Sequence, residues 1–250
     1  MNHTTILNLI NELGYKGFKD AYTRQIEDIN YHSLSFEERL YQLLDAQNLF
    51  LKNKRTDMNL KLSKIKNKQA TLENIDYDPK RKLNKAQILS LASMDFVRAH
   101  QNVIINGKTG SGKTFLAEAL GIRAIQDGFT VYAIRTATLL QEISLARVDG
   151  SYTNLVKKFT RYKLLIIDDF GISPISTDDA TNLFEIIEAR DEHASTIITS
   201  QLPVKDWYGY LQNNTIADAM LDRIVNSSHR VFLDGDSLRP KYGKIVKDYE

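Results

Sequence analysis

The chain has 250 residues, 42% of them hydrophobic and 26% charged, with a formal charge of +2, which suits a soluble globular protein of one or two domains with a sizeable core. Its lack of cysteine excludes disulfides and thiolate metal sites, its five scattered histidines include no HxxxH pair for zinc, and its small net charge leaves any nucleic-acid contact to local clustering. The opening Met1-Asn2-His3-Thr4-Thr5 has no basic stretch ahead of a long apolar run, and no apolar run could span a bilayer, so a cytoplasmic chain without signal peptide or membrane partner is expected.

Residues 1–66 read as a small all-helical N-terminal domain for contact with a partner or DNA, and 67–250 as the second domain. Ile6, Leu9, Ile10 and Leu13 follow the helical i, i+3, i+4, i+7 spacing, and Gly14 is a plausible stop. A second helix is expected over 18–26. A third starts at a capping box, Ser35 with Glu38, and runs to about residue 66. Its end is basic: Lys52, Lys54, Arg55, Lys61, Lys64, Lys66 and Lys68 face only Asp57. That is either a solvated face or an arm for phosphates or an acidic partner. Residues 69–85, around Pro79, read as a linker or extended segment, and 87–99 as a helix.

From there strands and helices alternate. Strands are expected at 102–106, 130–134, 164–167, 196–199 and 230–233. Helices are expected at 112–127, 138–162 and 177–192, and over much of 204–225. Short apolar strands separated by helices imply an α/β fold, a five-stranded parallel sheet covered on both faces.

The segment Gly107-Lys108-Thr109-Gly110-Ser111-Gly112-Lys113-Thr114 fits GxxxxGK[ST] between a strand and a helix, the signature of a P-loop NTPase. Its glycines let backbone N–H groups wrap phosphates, and the helix N-terminus favours the anion. The expected nucleotide-binding set is Gly107 to Thr114 with Phe115. Within it Lys113 reaches the outer phosphates of ATP, and Thr114 offers its hydroxyl to Mg²⁺.

The apolar run Leu164-Leu165-Ile166-Ile167 ends in Asp168-Asp169. A parallel strand delivers both carboxylates to the sheet edge that carries the loop. Asp168 is the expected Mg²⁺ ligand, directly or through water, and Asp169 is placed to orient or deprotonate the attacking water. Many relatives of such sites have Glu there, and Asp is one methylene shorter. An extra strand, 130–134, lies between the two motifs, as in the additional-strand ATPase group. The extra strand and a carboxylate directly after the magnesium ligand favour hydrolysis over transfer of the phosphoryl group to a metabolite.

Over most of its length the sequence resembles the IstB family of insertion-sequence ATPases, AAA+ proteins close to DnaC-type helicase loaders and DnaA-type initiators. The resemblance rests on Leu34-Ser35-Phe36-Glu37-Glu38-Arg39-Leu40, Ile75-Asp76-Tyr77, the loop, Leu145-Ala146-Arg147-Val148-Asp149-Gly150-Ser151-Tyr152, Leu165 to Gly171, Thr199-Ser200-Gln201-Leu202-Pro203, and Leu221-Asp222-Arg223-Ile224-Val225. It implies an ATP-dependent homo-oligomer that binds and bends duplex DNA and helps a transposase of the IstA type use its target. The alternatives are a DnaC-like helicase loader, with the same chemistry and another client, or an architectural DNA protein that binds ATP without turnover.

Residue roles follow from the resemblance. Ser200 resembles the polar sensor of the γ-phosphate, its plainer alternative being a hydroxyl bonded to local backbone. Arg223 resembles an arginine finger acting on a neighbouring subunit, with Arg230 in reserve; its plainer alternative is a surface pair with Asp222 or Asp218. Only 17 residues follow position 233, so the helical lid of the wider AAA+ group is expected to be absent or truncated, and residues within about 75–100 to form the base-side pocket. Initiator-type relatives carry a DNA helix at 138–163, where Arg147, Lys157, Lys158 and Arg161 are the tentative phosphate contacts. Tyr152 is a less secure one.

Overall fold

The computed structural model describes residues 2–238. By its contacts the chain divides after Met58, ahead of the expected boundary at residue 66 and inside a helix. The first unit holds α1 (His3–Glu12), α2 (Lys16–Glu27), a 3-10 turn (Ile29–Ser33) and most of α3 (Phe36–Leu62). Gly14, with φ +71°, closes α1. The capping box forms in both directions: Ser35 N–H donates to Glu38 Oε2 at 2.8 Å, and Glu38 N–H donates to Ser35 Oγ at 3.2 Å. At Gly17 a β-carbon would lie 2.6 Å from Ala46 O and from Phe50 Cβ, so α2 approaches α3 this closely only with hydrogen at that position. All seven lysines and arginines of the basic run are exposed.

The second unit begins with a segment that departs from the expected linker. Residues 63–83 lie against the domain core: Ile65 and Ala70 are buried, and the segment turns through two 3-10 stretches, Leu72–Asn74 and Pro79–Arg81. The cause is the apolar residues among its polar ones. Leu72, Ile75, Tyr77 and Leu83 also pack on the core.

Beyond it come α4 (Lys85–Ala92), α5 (Asp95–Arg98), β1 (Asn102–Gly107), α6 (Lys113–Gln126), β2 (Val131–Arg135), α7 (Thr136–Val148) and α8 (Tyr152–Arg161). Then follow β3 (Leu164–Phe170), α9 (Thr177–Glu188), β4 (Ser195–Ser200), a 3-10 turn (Val204–Asp206), α10 (Trp207–Leu211), α11 (Asn214–Val225) and β5 (Ser228–Leu233). Two expected helices are each split. The helix over 87–99 breaks at Met94, which takes φ +62°. The helix over 138–162 breaks at Asp149-Gly150-Ser151, where Gly150 has φ +77° and Asp149 Oδ1 accepts from Ser151 N–H, a turn chemistry that overrides helical periodicity.

The sheet is five-stranded and parallel, in the order β2-β3-β4-β1-β5. Side-chain alternation sorts each strand onto two cores. Val103, Ile105, Leu164, Ile166 and Ile197 pack on the side of α6. Ile104, Leu165, Ile167 and Ile198 pack on the side of α7, α9 and α11. β2 is an edge strand, and its outer side is met by the chain after α3, where Ser63 O accepts from Ala133 N–H at 2.7 Å. Among the described residues no helix is long and apolar enough to cross a membrane. The expectation about a lid concerns the tail after β5, of which residues 239–250 lie outside the described ones.

Candidate functional site

Strand β1 ends at Gly107, the loop turns, and α6 starts at Lys113. Gly110 and Gly112 have φ +77° and +93°, a region L-residues rarely enter. At Gly107 a β-carbon would stand 2.3 Å from Leu233 O. Lys113 Nζ donates to the carbonyls of Gly107 and Lys108, each at 2.8 Å, which holds the buried side chain along the loop. Thr114 Oγ1 donates to Asp168 Oδ1 at 2.9 Å. The loop and the acidic strand end, joined in sequence only by inference, therefore meet through a hydrogen bond.

Alternation explains Asp168 and makes Asp169 unusual. Asp168 continues the face of Leu164 and Ile166, the α6 side that carries the loop. A regular strand would send Asp169 to the opposite face. The β3–β4 register, however, shifts between Ile167 and Phe170, where Ile167 pairs with Ile198 and Phe170 with Ser200. One extra residue on β3 forms a bulge. Asp169 takes φ +62° there, so it too borders the cavity in front of the loop. Burial first, and then the charge of Asp168, push the Asp169 carboxyl above the ordinary aspartate range. Arg135, whose Nε lies 3.7 Å from Asp169 Oδ2, pulls it down, as does Lys113. That placement suits a base for water.

The cavity measures about 790 Å³ and is lined by the loop residues Thr109 to Leu116 apart from Ser111, by Asp169, and by Gln201. The rest of its lining is Asn67, Gln69, Asn74, Ile75, Asp76, Arg81 and Leu83, with Leu233 at the end of β5 and Leu238 beyond it. The expected base-side stretch thus contributes its first residues, and the chain ahead of it adds more. Arg81 is buried and donates to Ser111 O. Ser111 Oγ is also buried and has no hydrogen-bond partner among the described residues. Asp234 pairs with Lys82 at 3.0 Å and Lys108 at 3.5 Å. Its carboxyl is held down at about 2, first by the Gly235 N–H and then by Lys82. The donors around Thr114 and Asp168 are all hard oxygens, which fits Mg²⁺ rather than a soft metal. Among the described residues there is no cluster of three or more His, Asp and Glu that could hold a metal.

Ser200 ends β4, where the resemblance placed it, but its hydroxyl is bonded to local backbone. Its hydroxyl donates to Phe170 O at 2.7 Å and accepts from Leu202 N–H at 3.0 Å. Alternation puts it on the face of Ile198, away from α6. The plainer alternative describes it. Two neighbours reach the site instead: Thr199 bonds the acidic strand end, and Thr109 Oγ1 donates to Gln201 Oε1 at 2.5 Å. Both stood in the quoted segment. Choosing among them required the parity of β4 relative to β3, which one sequence does not reveal.

Arg223 lies on α11 with its carbonyl bonded to Asn102, at the start of β1 and so at the sheet edge opposite the loop. Its guanidinium sits 2.9 Å from Glu188 and 3.9 Å from Asp191, over the Phe184 ring. Its partners are Glu188, the last residue of α9, and Asp191 just after that helix, rather than Asp222 or Asp218. Arg230 on β5 is exposed and makes no ion pair among the described residues. The four tentative DNA contacts divide. Arg147 pairs with Glu185 at 2.9 Å, bonds Asn182 and stacks on Tyr152 at 3.5 Å. Lys158 pairs with Glu142 at 3.0 Å. Lys157 and Arg161 are exposed without an ion pair among the described residues. Tyr152 also bonds Glu185, and burial and that bond push its hydroxyl up to about 12.

A sequence profile of the family described as IstB-like ATP binding protein matches residues 8–244. The chain belongs to this family. Two relatives are from Sinorhizobium fredii. The "Putative insertion sequence ATP-binding protein y4pL" is 38% identical over 233 residues, 93% of this chain and 95% of that protein. The "Putative insertion sequence ATP-binding protein y4uH" is 38% identical over 239 residues, 96% of each. Solved structures share the fold. The DnaI structure has a TM-score of 0.57 at 17% identity, covering 66% of this chain and 92% of that one. The DnaC helicase loader has 0.53 at 19%, covering 66% and 97%. A DnaA replication initiator bound to AMPPCP and single-stranded DNA has 0.57 at 18%, covering 69% and 52%. This IstB-like chain therefore has the AAA+ P-loop fold expected of it.

Proposed function

We propose that this IstB-like protein is an ATPase that serves transposition: with ATP·Mg²⁺ it assembles as a homo-oligomer on duplex DNA, bends it, and stimulates a partner transposase. One observation carries the chemical half. Lys113, Thr114 and Asp169 line one cavity, and Asp168 is hydrogen-bonded to Thr114. In this reading Lys113 holds the outer phosphates, and Thr114 and Asp168 would hold Mg²⁺, whose charge would offset that of the phosphate oxygens. Asp169 takes the proton of the attacking water. Gln201, next to the loop, takes the sensing role first assigned to Ser200. Arg223, at the far edge of its own sheet, acts in trans after leaving Glu188 and Asp191, an exchange of half-buried ion pairs for a phosphate contact. The names of the relatives, which tie them to insertion sequences, support a transposase as client. A helicase loader has only the shared fold behind it.

The test is phosphate release with and without duplex DNA, with Asp169→Asn as control. Turnover that the variant loses is expected. No turnover in either condition removes hydrolysis from the proposal and leaves an ATP-binding architectural protein.

A further inference from the structure

We infer that Thr199 is a positioning residue that sets both carboxylates of the site with a single hydroxyl. The inference rests on the reading of this site as an ATP·Mg²⁺ site. Thr199 is fully buried at the end of β4, on the α6 face. Its Oγ1 lies 2.5 Å from Asp168 Oδ1 and accepts the Asp169 backbone N–H at 3.1 Å. An ionised carboxylate only accepts, and a hydroxyl has one proton to give. The directions are therefore fixed: Thr199 donates to Asp168 and receives from Asp169.

Each bond has a separate consequence. The first holds Asp168 from the β4 side while Thr114 holds it from the loop side. The carboxylate is thus turned toward Thr114 before any metal arrives. Outer partners of this kind orient a metal ligand and tune its affinity. The second bond catches the backbone at the bulge, where Asp169 has φ +62°. A non-glycine residue in that region persists only where its surroundings hold it. The buried hydroxyl is one such restraint, and the Asp168 carbonyl, which accepts from Thr136 Oγ1 at 3.0 Å, is another. Thr199 itself need touch neither nucleotide nor metal.

The experiment compares Thr199→Val, which keeps the shape and removes the hydroxyl, with Thr199→Ser, which keeps the hydroxyl. The readout is retention of a fluorescent ATP analogue by the full chain, first in EDTA and then across a Mg²⁺ titration, with thermal melting as a check on folding. Binding in EDTA should be unchanged in both variants. The Mg²⁺ midpoint should rise about 10- to 100-fold in Thr199→Val, the usual cost of losing an outer partner, and return to the wild-type value in Thr199→Ser. Should Thr199→Val not fold, Thr199→Ala against Thr199→Ser makes the same comparison. An unshifted Mg²⁺ midpoint without the hydroxyl overturns the inference. So does a loss of EDTA binding as large as the Mg²⁺ shift, or a serine variant that behaves like valine. A wild-type chain that retains no nucleotide sinks the underlying reading as well, so the two failures are told apart without measuring turnover.

Discussion

The phosphate edge of the sheet and the α7–α8 segment both carry charged residues singled out from the sequence, and they fared differently. At the edge, Lys113, Thr114 and Asp168 interact with one another or with the loop they belong to, and Asp169 borders the same cavity. In the α7–α8 segment, Arg147 and Lys158 are satisfied by Glu185 and Glu142, and only Lys157 and Arg161 face solvent without an ion pair among the described residues. The loop motif encodes a geometry, because each residue type is needed for a backbone turn or an anion. A run of lysines and arginines encodes only a count, and which of them a carboxylate cancels is decided by packing, by Glu142 on α7 and by Glu185 on α9.

Variants can break this contrast, beginning with the largest effect. Lys113→Ala should abolish retention of ATP and, with it, nucleotide-dependent assembly on DNA. Normal ATP-dependent DNA binding by that variant would mean that the edge is not the nucleotide site. Asp169→Asn should keep nucleotide and lose about 10²- to 10⁴-fold in turnover, the usual worth of a positioned base. A rate within error of wild type would move the role elsewhere.

The pH profile sharpens the same point. A base works deprotonated, and the Asp169 carboxyl is raised by burial and by Asp168. The kcat/KM of the free protein should therefore begin to fall, on acidification, at a higher pH than an ordinary aspartate allows. Arg135→Ala removes a charge that holds that carboxyl down, and should move the acid limb to still higher pH. A limb that stays put or moves to lower pH contradicts the pairing.

Smaller effects lie in the α7–α8 segment. Removing Lys157 and Arg161 together should flatten the salt dependence of duplex binding by about two units of slope, roughly one per lost phosphate contact. Arg147→Ala should leave that slope alone. Breaking its surface pair should cost under ~1 kcal/mol in a melting experiment, plus the loss of its stack on Tyr152. The reverse pattern, with Arg147 changing the slope and Lys157 and Arg161 silent, would reinstate the expectation drawn from charge alone.

The sheet, its five strands and the loop were legible because short apolar runs and a spaced motif carry their own structural meaning. The split at Gly150 is written as Asp-Gly-Ser, whose turn chemistry outweighs the helical periodicity on either side. The packing of residues 63–83 was hidden by Pro79 and its polar neighbours, although Ile75, Tyr77 and Leu83 were there to read. The exchange of Ser200 for Thr199 and Gln201 was not recoverable by spacing. It depends on which face of β4 looks at α6, and on a bulge in β3 that changes parity between Asp168 and Asp169.

The contact between Ser63 O and Ala133 N–H bears on how the second unit can be excised. A fragment starting at residue 59 keeps the residues that shield the outer rim of β2. A fragment starting at 67, the boundary suggested by sequence, strips them away and bares a row of unpaired amides to whatever chain comes near. The shorter piece should hence clump in concentrated solution while the longer stays dispersed, a difference set by residues 59–66 rather than by the ATP pocket.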